Sequence, residues 1–167
     1  PYTTLFRSRT AGRRAAQGAA DLPLSGSIAD VYQGVIIEHD RSPRNFRRLD
    51  HASHTAEGSN PLCGDRVSVE LDVDAEGRIA DIAFQGAGCA ISRASASLMT
   101  GALKGKTLAE ARELFDRFHG LMTGTDVDPA ALGKLVVLQG VAGFPMRVKC
   151  ATLPWHAMRA AVDREQP

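Results

Sequence analysis

Asn60-Pro61-Leu62-Cys63-Gly64-Asp65 runs directly into Arg66-Val67-Ser68-Val69-Glu70-Leu71-Asp72-Val73, and the rest of the chain is organised around these residues. The second half alternates: Val67, Val69, Leu71 and Val73 share one face and Ser68, Glu70 and Asp72 the other, which predicts a half-buried strand. The first half is a Pro/Gly turn that sets a cysteine and a carboxylate two positions apart. Working outward, Asp74-Ala75-Glu76-Gly77 turns the chain and Ile79 to Gln85 returns, with Ile79, Ile82 and Phe84 apolar, so a β-hairpin is expected. Thr55 to Ser59, on the other side of the cysteine turn, offers a further edge strand.

The chain has three cysteines, and the other two also lie in motifs with a backbone rationale. Gly86-Ala87-Gly88 permits close backbone approach just before Cys89, which opens a helix expected from about Ala90 to Lys104. A thiol at a helix N-terminus feels the positive end of the dipole, which favours thiolate. Cys150 precedes Ala151 to Val162, expected as a terminal helix. Pro154 fits if Cys150 lies in or just before the first turn, because deeper in the helix the proline would remove a hydrogen bond. Cys63, Asp65, Cys89 and Cys150 thus form a candidate metal site. Three thiolates and a carboxylate suit tetrahedral Zn(II), and iron would accept the same thiolates, so the ligand set leaves zinc and iron–sulfur open. Around Zn(II) the set carries an excess of about two negative charges, which Arg66, Arg147 and Lys149, near the ligands in sequence, would offset. His156 follows Cys150 by well over a helical turn, so Asp65 is the better fourth ligand. His51 and His54 read as loop histidines.

Composition narrows the class. At 167 residues, with 44% hydrophobic and 23% charged residues, the chain can bury one core without disulfide staples. No stretch approaches the ~20 apolar residues of a membrane span. A formal net charge of +1, without a base-reading motif, gives no case for nucleic-acid binding. An odd cysteine count without a leading apolar region places the chain in a reducing cytoplasm. Residues 1–26 are set apart as a disordered or artefactual extension: Pro1 to Ser8 resembles a translated sequencing adapter, and the Arg-rich, acid-poor composition would also suit a mitochondrial presequence. Residues 27–164 form the expected domain.

The remaining elements are helical. Ser27 with Asp30 caps a helix whose apolar face carries Ile28, Val31, Val35 and Ile36, ended by Ser42-Pro43. The loop after it, through Phe46, reads as solvated. Thr107 with Glu110 opens a helix through Leu108, Ala111, Leu114, Phe115 and Phe118 that stops near Gly120. Asp126 and Asp128 are turn and cap residues, and Leu132 to Gln139 is a short apolar helix. Ser92, Ser95 and Ser97, with no base spaced to activate them, indicate close helix packing.

With these motifs in place, the chain resembles the SufU-type proteins, the zinc-binding branch of the IscU/NifU iron–sulfur assembly family. The resemblance rests on Ser42-Pro-Arg-Asn45, Asn60-Pro-Leu-Cys-Gly-Asp65, Gly86-Ala-Gly-Cys-Ala-Ile-Ser92, Ala94-Ser-Ala-Ser97, Gly105-Lys106, Leu138-Gln-Gly140 and Phe144-Pro-Met-Arg-Val-Lys-Cys-Ala-Thr-Leu153, in order and bearing every cysteine. Scaffold members place a His directly before the third cysteine; here that position is Lys149. SufU-like members carry extra residues between the second and third cysteines, and Lys106 to Gly140 has room for them. The resemblance implies an α+β fold, a small antiparallel sheet of about three strands with helices on one face. It implies Cys63, Asp65, Cys89 and Cys150 as zinc ligands. It also implies Cys63 as the catalytic acceptor of persulfide sulfur from a SufS-type cysteine desulfurase, freed when a histidine of that partner replaces it on zinc. The protein would then be a sulfurtransferase serving downstream SUF cluster assembly proteins. The alternative is an iron–sulfur cluster scaffold. Arg147 and Lys149 would support the site electrostatically or in docking.

Overall fold

The structure, a computed structural model, describes residues 27–164, so the expectation for residues 1–26 lies outside the described residues. Its centre is an antiparallel sheet in the order β1 (His54–Asn60), β2 (Asp65–Val73) and β3 (Ile79–Ala87). In β2 the expected alternation holds, with Val67, Val69 and Leu71 buried and Val73 half-buried next to a register irregularity. Asn60 pairs with Asp65, so β1 and β2 enclose the loop Pro61 to Gly64. Gly64, at φ 76°, supplies the left-handed residue that this loop requires.

Helices cover the apolar face of the sheet. α4 (Pro145–Asp163) packs across β1 and β2, and α2 (Ala90–Leu103) packs beside β3 and against α4. Outside them lie α1 (Ile28–Arg41), α3 (Leu108–Thr123) and a 3-10 segment over Pro129–Val141. This is the expected α+β arrangement. Both capping boxes are present: Ser27 with Asp30 opens α1 and Thr107 with Glu110 opens α3. Asp128 caps the 3-10 segment by accepting from the Ala130 N–H.

Several expectations need correction. α1 buries no residue completely, and Ile28 and Val31 stand exposed, because it lies on the outside of α2 and the 3-10 segment and seats only Tyr32, Val35 and Ile36. α3 continues past Gly120 to a left-handed Gly124 at φ 80°, since Leu121 and Met122 are buried and drive another turn. Glycine at 120 answers to packing: a Cβ there would meet Val127 at 3.0 Å. The segment around Leu132 is a 3-10 helix kinked at Gly133. Finally, α4 starts at Pro145, not near Cys150. Proline suits a first helical position, and the helix then accommodates Pro154 internally, leaving the Cys150 carbonyl without its usual i+4 amide.

The segment after α1 is also held more firmly than a solvated loop. The Asn45 carbonyl, in a residue at φ 60°, accepts the Phe84 N–H of β3 and the Arg47 N–H donates to the Phe84 carbonyl, while the Asn45 side chain donates to Thr100 Oγ1 at 3.0 Å. The small residues of α2 are contacts of the same kind. Ser95 Oγ donates to the Ala151 carbonyl at 2.6 Å and accepts from the Trp155 indole N–H at 3.2 Å, so one buried hydroxyl locks α2 to α4 beside Cys150. Ser95→Ala leaves the buried Trp155 indole N–H without its partner and is expected to lower stability by about 1–3 kcal/mol, read by urea denaturation; an unchanged midpoint would show that the hydroxyl is not a clamp.

Candidate metal centre

The loop Pro61 to Gly64 is closed by its own backbone. The Asn60 side chain accepts from the Leu62 N–H at 3.1 Å, and the Gly64 N–H donates to the Asn60 carbonyl at 2.8 Å. This local closure holds Cys63 at the loop's exposed tip, with its Sγ 3.8 Å from the Asn60 carbonyl oxygen. Cys150, in the second turn of α4, comes up beneath it with the two sulfurs 4.0 Å apart. Cys63, Asp65 and Cys150 offer ligand atoms that all lie within 4.8 Å of one another.

Cys89 stands at the N-cap of α2, where its side chain caps nothing. Its backbone N–H donates to Asp65 Oδ1 at 3.1 Å. Its thiol falls outside the tight grouping of the other three, yet lies close enough to Cys150 to influence it. Burial pushes the Cys150 thiol well above the usual cysteine range, and the Cys89 and Cys63 thiols beside it add to the push. In the absence of a cation Cys150 is therefore a neutral thiol.

Glycines make the convergence possible. Gly86 has φ 152°, and a Cβ on it would lie 2.1 Å from the Arg66 carbonyl oxygen. At Gly88 a Cβ would meet Asp65 Cγ at 3.1 Å, so the bare backbone lets the carboxylate sit against the start of α2. Asp65 is only 4% exposed, and while Oδ1 is hydrogen-bonded, Oδ2 has no partner among the described residues. A buried carboxylate oxygen without a donor is costly, and a cation would satisfy it. With thiols on both sides, the donor set fits a thiophilic ion such as Zn(II).

The remaining sequence candidates lie around this centre. Arg147 and Lys149 are both exposed, and the Arg147 guanidinium stacks 4.7 Å from the centre of the Phe144 ring. His156 packs edge-on to Phe115 and His119 on the α3–α4 surface. Sequence reasoning passed over Leu62, Phe144 and Met146, which are exposed although large and apolar, and which flank Cys63 and Cys150 in the chain. The available signal was apolar residues set within Gly/Pro-bounded cysteine motifs.

Comparison with known proteins places these observations in context. Residues 31–162 match the NifU-like N-terminal domain family. The chain is 38% identical to the zinc-dependent sulfurtransferase SufU of Bacillus subtilis (strain 168), covering 87% of this chain and 98% of that protein. It is 42% identical to the iron–sulfur cluster assembly scaffold protein IscU of Streptococcus pyogenes serotype M1, covering 80% of this chain and 84% of that one. A crystal structure from Fervidobacterium islandicum AW-1, described as an iron–sulfur cluster assembly scaffold protein for the SUF system, superimposes with a TM-score of 0.74 at 34% identity, covering 77% of this chain and 94% of that one.

The unpartnered Asp65 oxygen makes a signed prediction. In chelator-treated protein, Asp65→Asn removes a buried unpaired charge and is expected to raise unfolding stability by about 1–3 kcal/mol, whereas with zinc present the same change is expected to lower it. Denaturation curves with and without chelator that shift in the same direction would contradict a cation-binding role for this carboxylate.

Proposed function

The chain belongs to the NifU-like N-terminal domain family, and on that premise we propose that it is a zinc-dependent sulfurtransferase of iron–sulfur cluster assembly. In this role Cys63 accepts persulfide sulfur from a SufS-type cysteine desulfurase in the cytoplasm and relays it to downstream SUF cluster assembly proteins. The observation that carries the proposal is the unequal placement of the sulfurs. Cys63 is exposed on a short closed loop, while Cys150 lies buried 4.0 Å away on a packed helix. One thiol can leave the group and return without disturbing the core; the other cannot. The name of the Bacillus subtilis relative supports the same activity.

Cys63, Asp65, Cys89 and Cys150 would hold the zinc, whose contribution is to keep thiols deprotonated without entering electron transfer. The transfer itself needs no oxidant. The Cys63 thiolate attacks the outer sulfur of the partner's persulfide, the sulfur–sulfur bond breaks, and the partner's cysteine departs as thiolate. Cys63 then carries the persulfide. Discharge repeats the step, with an acceptor thiolate attacking the outer sulfur and Cys63 leaving. Exposed Leu62, Phe144 and Met146, with the cationic Arg147 and Lys149, supply the apolar and charged surface on which the partner docks. Among the described residues no helix is long and apolar enough to cross a membrane.

A second reading, an iron–sulfur cluster scaffold, draws support from the name of the Streptococcus pyogenes relative. Lys149, standing where scaffold members place a histidine, weighs against it.

The deciding experiment measures sulfide release from cysteine by a SufS-type desulfurase, alone, with the zinc-loaded protein, and with a folded Cys63→Ala variant. The expected result is stimulation by the intact protein that the variant does not give. Stimulation that survives Cys63→Ala overturns the relay. No stimulation, together with a stable and transferable cluster after iron and sulfide reconstitution, establishes the scaffold instead.

A further inference from the structure

A cavity of about 550 Å³ opens between α1, α2 and the 3-10 segment, lined by residues none of which belongs to the metal centre. Leu98 and Leu132 contribute apolar wall, and His39, Arg44, Lys106 and Lys134 contribute nitrogen donors. No Asp or Glu lines it among the described residues. Arg44 is already matched by an ion pair with Glu38. Lys106 and Lys134 have no ion-pair partner within 4.0 Å among the described residues; Glu110 near Lys106 and Glu38 near Lys134 offset part of their charge, and the lining itself remains basic.

The histidine is tied to α2 by its neighbours. Ser97 Oγ accepts the Arg44 backbone N–H at 2.7 Å and is hydrogen-bonded to His39 Nδ1, also at 2.7 Å. With Nδ1 engaged by Ser97, Nε2 is the ring nitrogen left for a ligand. Burial, Arg44 and Lys134 hold its pKa below the ordinary histidine range against the opposing Glu38, so it is neutral at pH 7. The opposite wall depends on Gly133, whose φ of 54° and ψ of −129° turn the 3-10 segment between buried Leu132 and exposed Lys134. Other residues rarely adopt that conformation.

We propose that this cavity binds a small phosphomonoester with a short apolar body. Such a ligand carries close to two negative charges and terminal oxygens that accept hydrogen bonds, matching a lining of two ammonium groups, a guanidinium and an imidazole with no carboxylate among them. Its apolar body matches the leucine wall, and the volume falls within the range of small-molecule sites. The inference is independent of sulfur transfer, because it uses none of the cysteines.

The test is calorimetric titration of the full chain with phenyl phosphate and, separately, with inorganic phosphate. Phenyl phosphate is expected to bind once per chain and more tightly than inorganic phosphate. The Lys106→Gln/Lys134→Gln variant is expected to bind it about tenfold more weakly or worse, with its thermal melt unchanged. Ala131→Phe, placing a ring in the cavity, is expected to abolish binding of phenyl phosphate. No binding by the intact chain, affinity unchanged in the lysine variant, or equal affinity for the two probes would each overturn the proposal. If Ala131→Phe does not fold, the lysine variant and the probe comparison still decide it.

Discussion

One hydrogen bond, from the Cys89 N–H to Asp65 Oδ1 at 3.1 Å, joins the start of β2 to the start of α2, and the geometry of the centre follows from it. It fixes a buried carboxylate that lies within 4.8 Å of two cysteine sulfurs and whose other oxygen has no partner among the described residues. It uses one of the free amides at a helix N-terminus, where a negative charge is favoured, which helps explain how Asp65 tolerates burial. Neighbouring choices make room for it: Gly88 leaves out the Cβ that would press on the carboxylate, and Gly86 allows β3 to meet Arg66 backbone to backbone. Side chains at those positions would push the two elements apart.

α2 serves as the common reference for everything that approaches the cysteines. Ser95 fixes α4, Ser97 and Thr100 receive the segment that follows α1, and the N-terminal residue Cys89 meets Asp65. Small residues along α2 let its neighbours come close, and their hydroxyls then satisfy polar groups that such closeness would strand. Precision comes from short polar contacts, while stability comes from the leucines, valines and Trp155 of the core.

Features whose physical cause is local were legible in the residues. Capping boxes at Ser27 and Thr107, the alternation of Val67 to Leu71 and the turn before Ile79 depend on neighbours a few positions away, and they appear where the pattern puts them. The Cys63–Gly–Asp65 turn and the glycines before Cys89 pointed to one site for the same reason. What stayed hidden has tertiary causes. Gly120 reads as a helix stop but is set by contact with Val127, and Pro154 reads as a first-turn residue although Pro145 holds that place. Hydroxyls on α2 could be called packing residues, but not which backbone groups they bind. The unpaired oxygen of Asp65 has no sequence signal at all, because it is defined by what fails to reach it.

Pro154 divides α4 in a way that bears on how the molecule breathes. A proline has no amide hydrogen, so the ladder of exchange-protected amides has a gap one turn beyond Cys150. Beyond the gap, Trp155, Met158, Ala161 and Val162 are all buried and anchor the helix in the core. Before it, Cys150 to Leu153 are buried as well, and only the stretch from Pro145 to Lys149 is largely exposed. Cys150 therefore sits where the exposed start of α4 meets its buried part, so an opening confined to that start stops short of the thiol, which is released only when the packing around Ala151 and Trp155 is lost.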